Sequence, residues 1–406
     1  MILHGQLMLS TDQPPQRGWI AVESRAGAGR IVDLQPGDPP QPADLGDGSC
    51  LICPGFVDAH LHLPQLDIAG YDGMDLLDWL AKIVYPAESR WANGRIAADQ
   101  VKRACARMVG SGTLGYAAFL TSHALGVGCV LDQTRALPLR CIIGQTIMDR
   151  NGPSDLTTQP PLPVRPVEHS RVTISCNPRF ALACSETALQ LAANLAGGYA
   201  PIQTHLAESK RECEAVAKLF ASDPNYTSIY DRVGLLTERS LLAHCVHLTG
   251  PEWSLIAKRK AVVVHCPTAN TFLQSGVFDL RAALEHNVRL ALGSDFAAGP
   301  DLSMPRIARA MIDTAKLRAM TLDPAAYVPC PAETWELITR TNALALGWPD
   351  AGRIEIGAAA DLLVLRVPFE IDAHLIARLI HTWDDNYIAH RIVNGMAVGA
   401  AAVAAR

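Results

Sequence analysis

The middle of the chain repeats one unit: a brief apolar run followed by a longer Ala/Leu/Arg-rich stretch with helical spacing. The apolar runs include "LGYAAFLTSH", "RCIIGQTIMD", "VTISCNPRF", "PIQTHLAES", "SLLAHCVHL", "AVVVHCPTAN" and "VRLALGSDF". Helices are predicted over 96–110, 185–197, 208–221, 251–259, 278–286 and 304–320. Repeated β-then-α units imply a parallel sheet, and their number fits a closed (β/α)8 barrel of the TIM type. An open doubly wound sheet wants a Gly-rich turn after its first strand, and no GxGxxG follows one here.

The two ends have a different texture. "MILHGQLML", "GWIAVES", "GRIVDLQPG" and "SCLICPG" read as short strands punctuated by Gly and Pro, and so do "GRIEIGAAADLLVLRV" and "HRIVNGMAVGAA" near the C-terminus. Each piece is short for a core of its own. The expectation is a discontinuous small β-sandwich domain, 1–53 with 352–406, beside a catalytic barrel at 54–351.

Composition narrows the class. Hydrophobic residues at 49% and charged residues at 18% predict a large buried core. A net charge of -5 without a Lys/Arg run lacks the footprint of nucleic-acid or anionic-membrane binding. No apolar run is long enough to span a bilayer. The first residues, "MILHGQLMLSTDQPPQRG", carry no secretory-signal pattern. Eleven cysteines without a CxxC pair, Cys53, Cys129, Cys141, Cys176, Cys245 and Cys266 among them in apolar runs, read as reduced thiols in a cytoplasmic protein.

Ionisable groups fall at strand ends. His60 and His62 in "PGFVDAHLHLPQ", Arg179, His205, His244 and Asp295 each lie at or just past an apolar run. In a barrel, those ends meet at one mouth. Residues i and i+2 of a strand point to the same side, so His60 and His62 can face one ion. His205 adds a third nitrogen and Asp295 an oxygen. Three neutral imidazoles and a carboxylate suit Zn2+ or Fe2+ with a position left for water, whose pKa the ion lowers. The plainer alternative is that the four only hydrogen-bond in the core. The H-x-E…P-C-x-x-C pattern of nucleic-acid deaminases is absent.

In this order, "PGFVDAHLH", "THLAES", "LLAHC", "HCPTAN" and "LGSDF" resemble the amidohydrolase superfamily, in its deaminase/chlorohydrolase branch. "GRIEIGAAADLLVL" resembles that family's return into its small β domain. The resemblance implies a divalent metal in a distorted barrel and hydrolysis of C–N or C–Cl bonds on heterocycles. Two-metal relatives place a carboxylated lysine after the fourth strand, where "RVTISCNPRF" has none, which implies one ion per chain, Zn2+ before Fe2+. Glu208 is then the proton shuttle between water and a ring nitrogen, His244 the hydrogen-bonding partner of the attacking oxygen, and Asp295 both ligand and second base. A first-turn helix carboxylate is the structural alternative for Glu208.

Three further stretches, "HLHLPQ", "DLLDWLAKIVYPAESRW" and "NPRFALACSE", resemble the guanine deaminase group. They imply Gln65, Arg179, Phe180 and Trp79 as the purine-binding set. Gln65 offers a donor and an acceptor, Arg179 donors, and Phe180 a stacking face. Core packing for Trp79 and a structural ion pair for Arg179 stay open. The sequence departs from that group in "SDFAAG", "HCPTAN" with Ala269, and Leu63. These departures keep other substrates open: 8-oxoguanine, a pterin, cytosine or another purine. A non-catalytic scaffold would have lost metal ligands that this chain retains. Relatives are often homodimers. His123, His247, His265 and His286 are read as structural or as supports behind the site residues, with His265 nearest the site.

Overall fold

The computed structural model describes residues 1–25, 27–165 and 171–399. The end of the C-terminal strand stretch, 400–406, lies outside them. Four strands open the chain: β1 (Ile2–Leu7), β2 (Gln16–Arg25), β3 (Ala28–Pro36) and β4 (Leu51–Pro54). The barrel strands follow as β5 (Phe56–His62), β6 (Thr113–Phe119), β7 (Arg140–Gly144), a two-residue β8 (Thr146–Ile147), β9 (Val172–Ile174), β10 (Asn177–Pro178), β11 (Ile202–Leu206), β12 (Ser240–His244), β13 (Val262–His265) and β14 (Arg289–Leu292). The chain then returns as β15 (Leu362–Leu365), β16 (Ile388–Val393) and β17 (Met396–Val398).

The terminal strands make one seven-stranded sheet in the order β17-β16-β15-β4-β1-β2-β3. Leu51 to Pro54 of β4 pair antiparallel with β15 across more than 300 residues of chain. Leu3, Leu7, Ile20, Ile31, Ile52, Leu362, Val364 and Ile392 form its core, with the two-residue alternation of a sheet that buries one face.

The barrel comes as two parallel four-stranded arcs, β5-β6-β7-β9 and β11-β12-β13-β14. Residues 113–119 are buried throughout, as expected of a strand covered on both faces. The predicted helices are present within two residues, for example Gly94–Gly110 and Met304–Thr321.

Side chains and single backbone bonds join the arcs. At one seam, Cys176 N donates to Pro201 O (2.9 Å) and Gln203 N to Cys176 O (3.0 Å). At the other, Asp295 N donates to His60 O (2.8 Å) and His62 N to Phe296 O (2.7 Å). Asn342, fully buried, donates to Val57 O and Leu292 O at 2.7 Å each and accepts from Leu292 N at 2.8 Å. Asp58 accepts from Ser294 N (3.0 Å), Ser294 Oγ and His60 N (3.1 Å). Gly293 is required at this seam, because a Cβ there would lie 2.8 Å from His60 Cβ.

Candidate active site at the barrel mouth

Five strand ends deliver the ionisable groups to one place. His60 and His62 close β5 with ring centroids 5.0 Å apart. His205 lies within β11, His244 ends β12, Arg179 follows β10, and Asp295 stands three residues past β14. The backbone turns sharply at these points: Ala207, His244, Cys245 and Asp295 have φ of 50°, 73°, 52° and 47°. Left-handed backbone costs a non-glycine residue about 1–3 kcal/mol and persists only where its surroundings over-determine it. Here the seam bonds of Asp295, and Cys245 N donating to Leu206 O at 2.9 Å, hold it.

The side chains converge. His60 Nε2 and His62 Nε2 lie 3.3 and 3.4 Å from Asp295 Oδ1. His62 Nε2 faces His205 Nε2 at 3.1 Å. His205 Nδ1 donates to Arg179 O (2.7 Å), which leaves its Nε2 as the lone-pair nitrogen. Burial pushes the pKa of His60, His62 and His205 well below that of a free imidazole, so the rings are neutral. Among the described residues, His60 Nε2 and His244 Nε2 are buried with no hydrogen-bond partner.

Two groups, His60 with His205 and His244, and His60 with His62 and Asp295, each bring their ligand atoms within 4.8 Å of one another. Unpaired imidazole nitrogens facing one another beside a carboxylate are relieved by a cation, and this donor set fits a divalent metal.

Glu208 and His244 complete the cluster. His244 Nε2 lies 3.4 Å from Glu208 Oε2 and 3.7 Å from Asp295 Oδ2. Its Nδ1 donates to Asn270 Oδ1 at 2.8 Å. Glu208 Oε1 accepts from Ser275 Oγ at 2.9 Å. Burial, then the nearby Asp295, pushes Glu208 up to about 8; burial alone raises Asp295 to about 6.

Glu208 is not the first-turn carboxylate that its spacing allowed. Ser209 caps helix Lys210–Leu219, and the first-turn acid is Glu212. Glu212 Oε2 accepts from Glu208 N at 2.8 Å. The cap thus leaves Glu208 outside the helix and free to enter the cluster.

A pocket opens at these groups, lined in part by His62, His205, Glu208, His244 and Asp295. Gln65, Trp79, Arg179 and Phe180 form its wall. Trp79 both packs in the core and lines the pocket, its Nε1 donating to Tyr71 O at 3.1 Å. Arg179 is likewise both an ion pair, with Glu88 at 2.7 Å, and a lining residue. Of the departures from the family pattern, Ala298 of "SDFAAG" lines the pocket, whereas Ala269 and Leu63 are buried outside its lining. His265 stacks on Phe278 with centroids 4.4 Å apart and is not a lining residue.

Sequence reasoning missed Glu88, Asn270 and Ser275. The first two lay inside quoted stretches, "YPAES" and "HCPTAN", without a role. Ser275 carried no local signal. His247, read as structural, donates to Ser275 O at 2.7 Å and braces that loop.

Comparison with known proteins agrees with this geometry. The model of the amidohydrolase family matches residues 51–398. The guanine deaminase of Escherichia coli (strain K12) is 31% identical over 326 residues, covering 78% of this chain and 73% of that one. The human guanine deaminase is 32% identical over 334 residues, covering 77% and 72%. Among solved structures, a guanine deaminase from C. acetobutylicum, with guanine bound in its active site, superposes with a TM-score of 0.90. It is 25% identical, with 98% of this chain and 99% of that chain covered. Matched over most of its length both by the family model and by these relatives, the chain belongs to the amidohydrolase family, in the group of the guanine deaminases.

Proposed function

We propose that this chain is a metal-dependent guanine deaminase, converting guanine and water to xanthine and ammonia. One observation carries the reading: a cluster of neutral imidazoles and a carboxylate at the floor of the same pocket whose wall holds Gln65, Arg179, Phe180 and Trp79. In this reading His60, His62, His205 and Asp295 hold one divalent ion per chain, Zn2+ before Fe2+. When bound, such an ion supplies the acidity that makes water nucleophilic near neutral pH.

The chain's own groups do the rest. Glu208 takes a proton from the attacking water and gives it to a ring nitrogen next to the amine-bearing carbon. The Ser275 hydroxyl on Oε1 leaves Oε2 turned toward His244 and the floor. His244, oriented through Asn270, hydrogen-bonds the oxygen at the developing tetrahedral centre. Asp295 helps deliver the second proton to the departing amine, which leaves as ammonia. Phe180 and Trp79 flank the flat ring.

In the same proposal the chain comprises a terminal β domain, 1–53 with 352–406, and a barrel at 54–351, and the protein is a cytoplasmic homodimer acting on a small purine. Eleven free cysteines support a reducing compartment. Exposed Leu317, Met320 and Leu322 at one helix end support a self-association surface.

The test incubates metal-replete protein with guanine and follows its ultraviolet band alongside ammonia release. Equal loss and release are expected. Turnover of a pterin or cytosine without turnover of guanine overturns the substrate. Two tightly held ions per chain overturn the mononuclear site.

A further inference from the structure

Gln65 carries a donor end and an acceptor end, and a buried neighbour decides which one faces the pocket. Glu88 is fully buried in helix Tyr85–Ser89. Its Oε1 accepts from Gln65 Nε2 at 3.0 Å, and its Oε2 accepts from Arg179 Nη1 at 2.7 Å. Its backbone oxygen accepts from Thr121 Oγ1 at 3.1 Å, which pins that turn to the barrel. Both carboxylate oxygens of Glu88 thus act as acceptors, one toward the Gln65 amide and one toward the guanidinium, and offer no hydrogen in return. Turning the Gln65 amide over would set oxygen against oxygen at the same 3.0 Å separation. The orientation is therefore chemically forced. Gln65 Oε1 remains buried, without a partner among the described residues, on a side chain that lines the pocket.

We propose that Glu88 is a specificity-determining positioning residue. By holding the Gln65 nitrogen and one Arg179 donor, it leaves the pocket wall with a fixed acceptor beside fixed donors, the complement of a lactam edge. This rests on the guanine deaminase reading and names what that site selects. Guanine presents the required edge, a ring N–H next to a C=O. Gln65 Oε1 accepts the N–H, and the remaining Arg179 N–H groups donate to the carbonyl. The guanidinium carbon of Arg179 also lies over the Tyr85 ring, 5.2 Å from its centroid. Docking that edge on the wall leaves the amine-bearing carbon, one atom further round the ring, for the metal cluster. A ring with a bare acceptor nitrogen at the N–H position meets Gln65 oxygen to nitrogen, lone pair to lone pair, and is rejected.

The test compares two competitive ligands that are not themselves deaminated at that carbon: hypoxanthine, which has the lactam edge, and purine, which lacks it. Each is titrated against metal-loaded wild type, Glu88→Gln and Gln65→Met. Wild type is expected to prefer hypoxanthine by roughly ten- to a hundredfold, the cost of leaving a buried polar group mispaired. Glu88→Gln frees the Gln65 amide to turn over, and the preference should collapse to a few-fold at unchanged metal content. Gln65→Met removes the acceptor and should collapse it as well. For guanine, Glu88→Gln should raise KM more than it lowers kcat, because the proton-transfer groups are untouched. A purely structural role for Glu88 would weaken both ligands alike. An unchanged ratio in Glu88→Gln, or no preference in wild type, overturns the proposal. Failure of wild type to turn over guanine overturns the activity instead, while the ligand ratios still judge Glu88.

Discussion

At the residue scale, the site is a set of buried groups made compatible by what each one faces. Glu208 is poised by two contacts, Ser275 Oγ on one oxygen and His244 near the other. Glu208→Gln keeps the shape but removes the proposed proton acceptor, and kcat should fall by roughly 10²–10⁴ while metal content is unchanged. Steady-state kinetics with metal analysis checks this; near-full activity in the variant rules out the shuttle. The histidine pair was legible because i and i+2 on a strand share a face. Gln65 and Arg179 were legible from family-like stretches. Glu88 was not, although "PAE" was in view, because its role exists only where Gln65 and Arg179 come to lie against it, 23 and 91 residues away in sequence.

At the scale of elements, the closed barrel was readable from the number of its strand-helix units, and the side chains that close it were not. Apolar runs and helical spacing announce β-then-α units locally, but the seam between β14 and β5 rests on Asn342, whose partner Val57 is 285 residues away. Asn342→Ala leaves Val57 O, Leu292 O and Leu292 N without their buried partner. Stability should drop by about 2–4 kcal/mol in urea unfolding; a change under 1 kcal/mol would mean that water or backbone shifts satisfy the seam. Gly293→Ala drives a methyl group to within 3.0 Å of His60 N and 2.8 Å of its Cβ. Its expected result is displaced His60, with metal affinity lowered by about tenfold or more. Titration with a competing chelator measures it. The wall has an element-level cause as well. In the stretch that bears Trp79 and Glu88, Leu80–Val84 forms a wider π-type turn just before Pro86. Pro86 has no N–H to give and its ring crowds the carbonyl a turn back, so a wider turn is accommodated there.

At the scale of the whole molecule, metal binding and the contacts between the terminal sheet and the barrel link function to stability. A ligand that binds only the folded state stabilises it by mass action, about 4 kcal/mol at a thousand times Kd. Metal removal should therefore lower Tm, and re-addition of Zn2+ should restore Tm and activity together, as read by calorimetry; an unchanged Tm would mean the ion is not held in the fold. Asp350 joins Arg140 of β7 to Arg30 of β3, with Arg140 Nη2 3.0 Å from Oδ2. The Arg140 hydrogen bond, assisted by Arg30, holds the Asp350 carboxyl well below the usual carboxylate range. A depressed folded-state pKa adds stability above the unfolded-state value, about 4, and that stability is lost as pH falls through the folded-state value. Asp350→Asn should therefore cost stability at pH 7 and flatten its decline below about pH 4, in urea melts across pH. By itself the sequence determined the repeated strand-helix units, the strand ends that carry histidine and aspartate, and the kinship of the two termini, because these are periodic or local properties of neighbouring residues. Only the tertiary structure decided that Glu208 leaves its helix, that Asn342 and Gly293 close the barrel, and that Glu88 turns Gln65 into an acceptor. Those outcomes depend on which buried groups meet across tens to hundreds of residues, where each donor must find an acceptor because water cannot reach it.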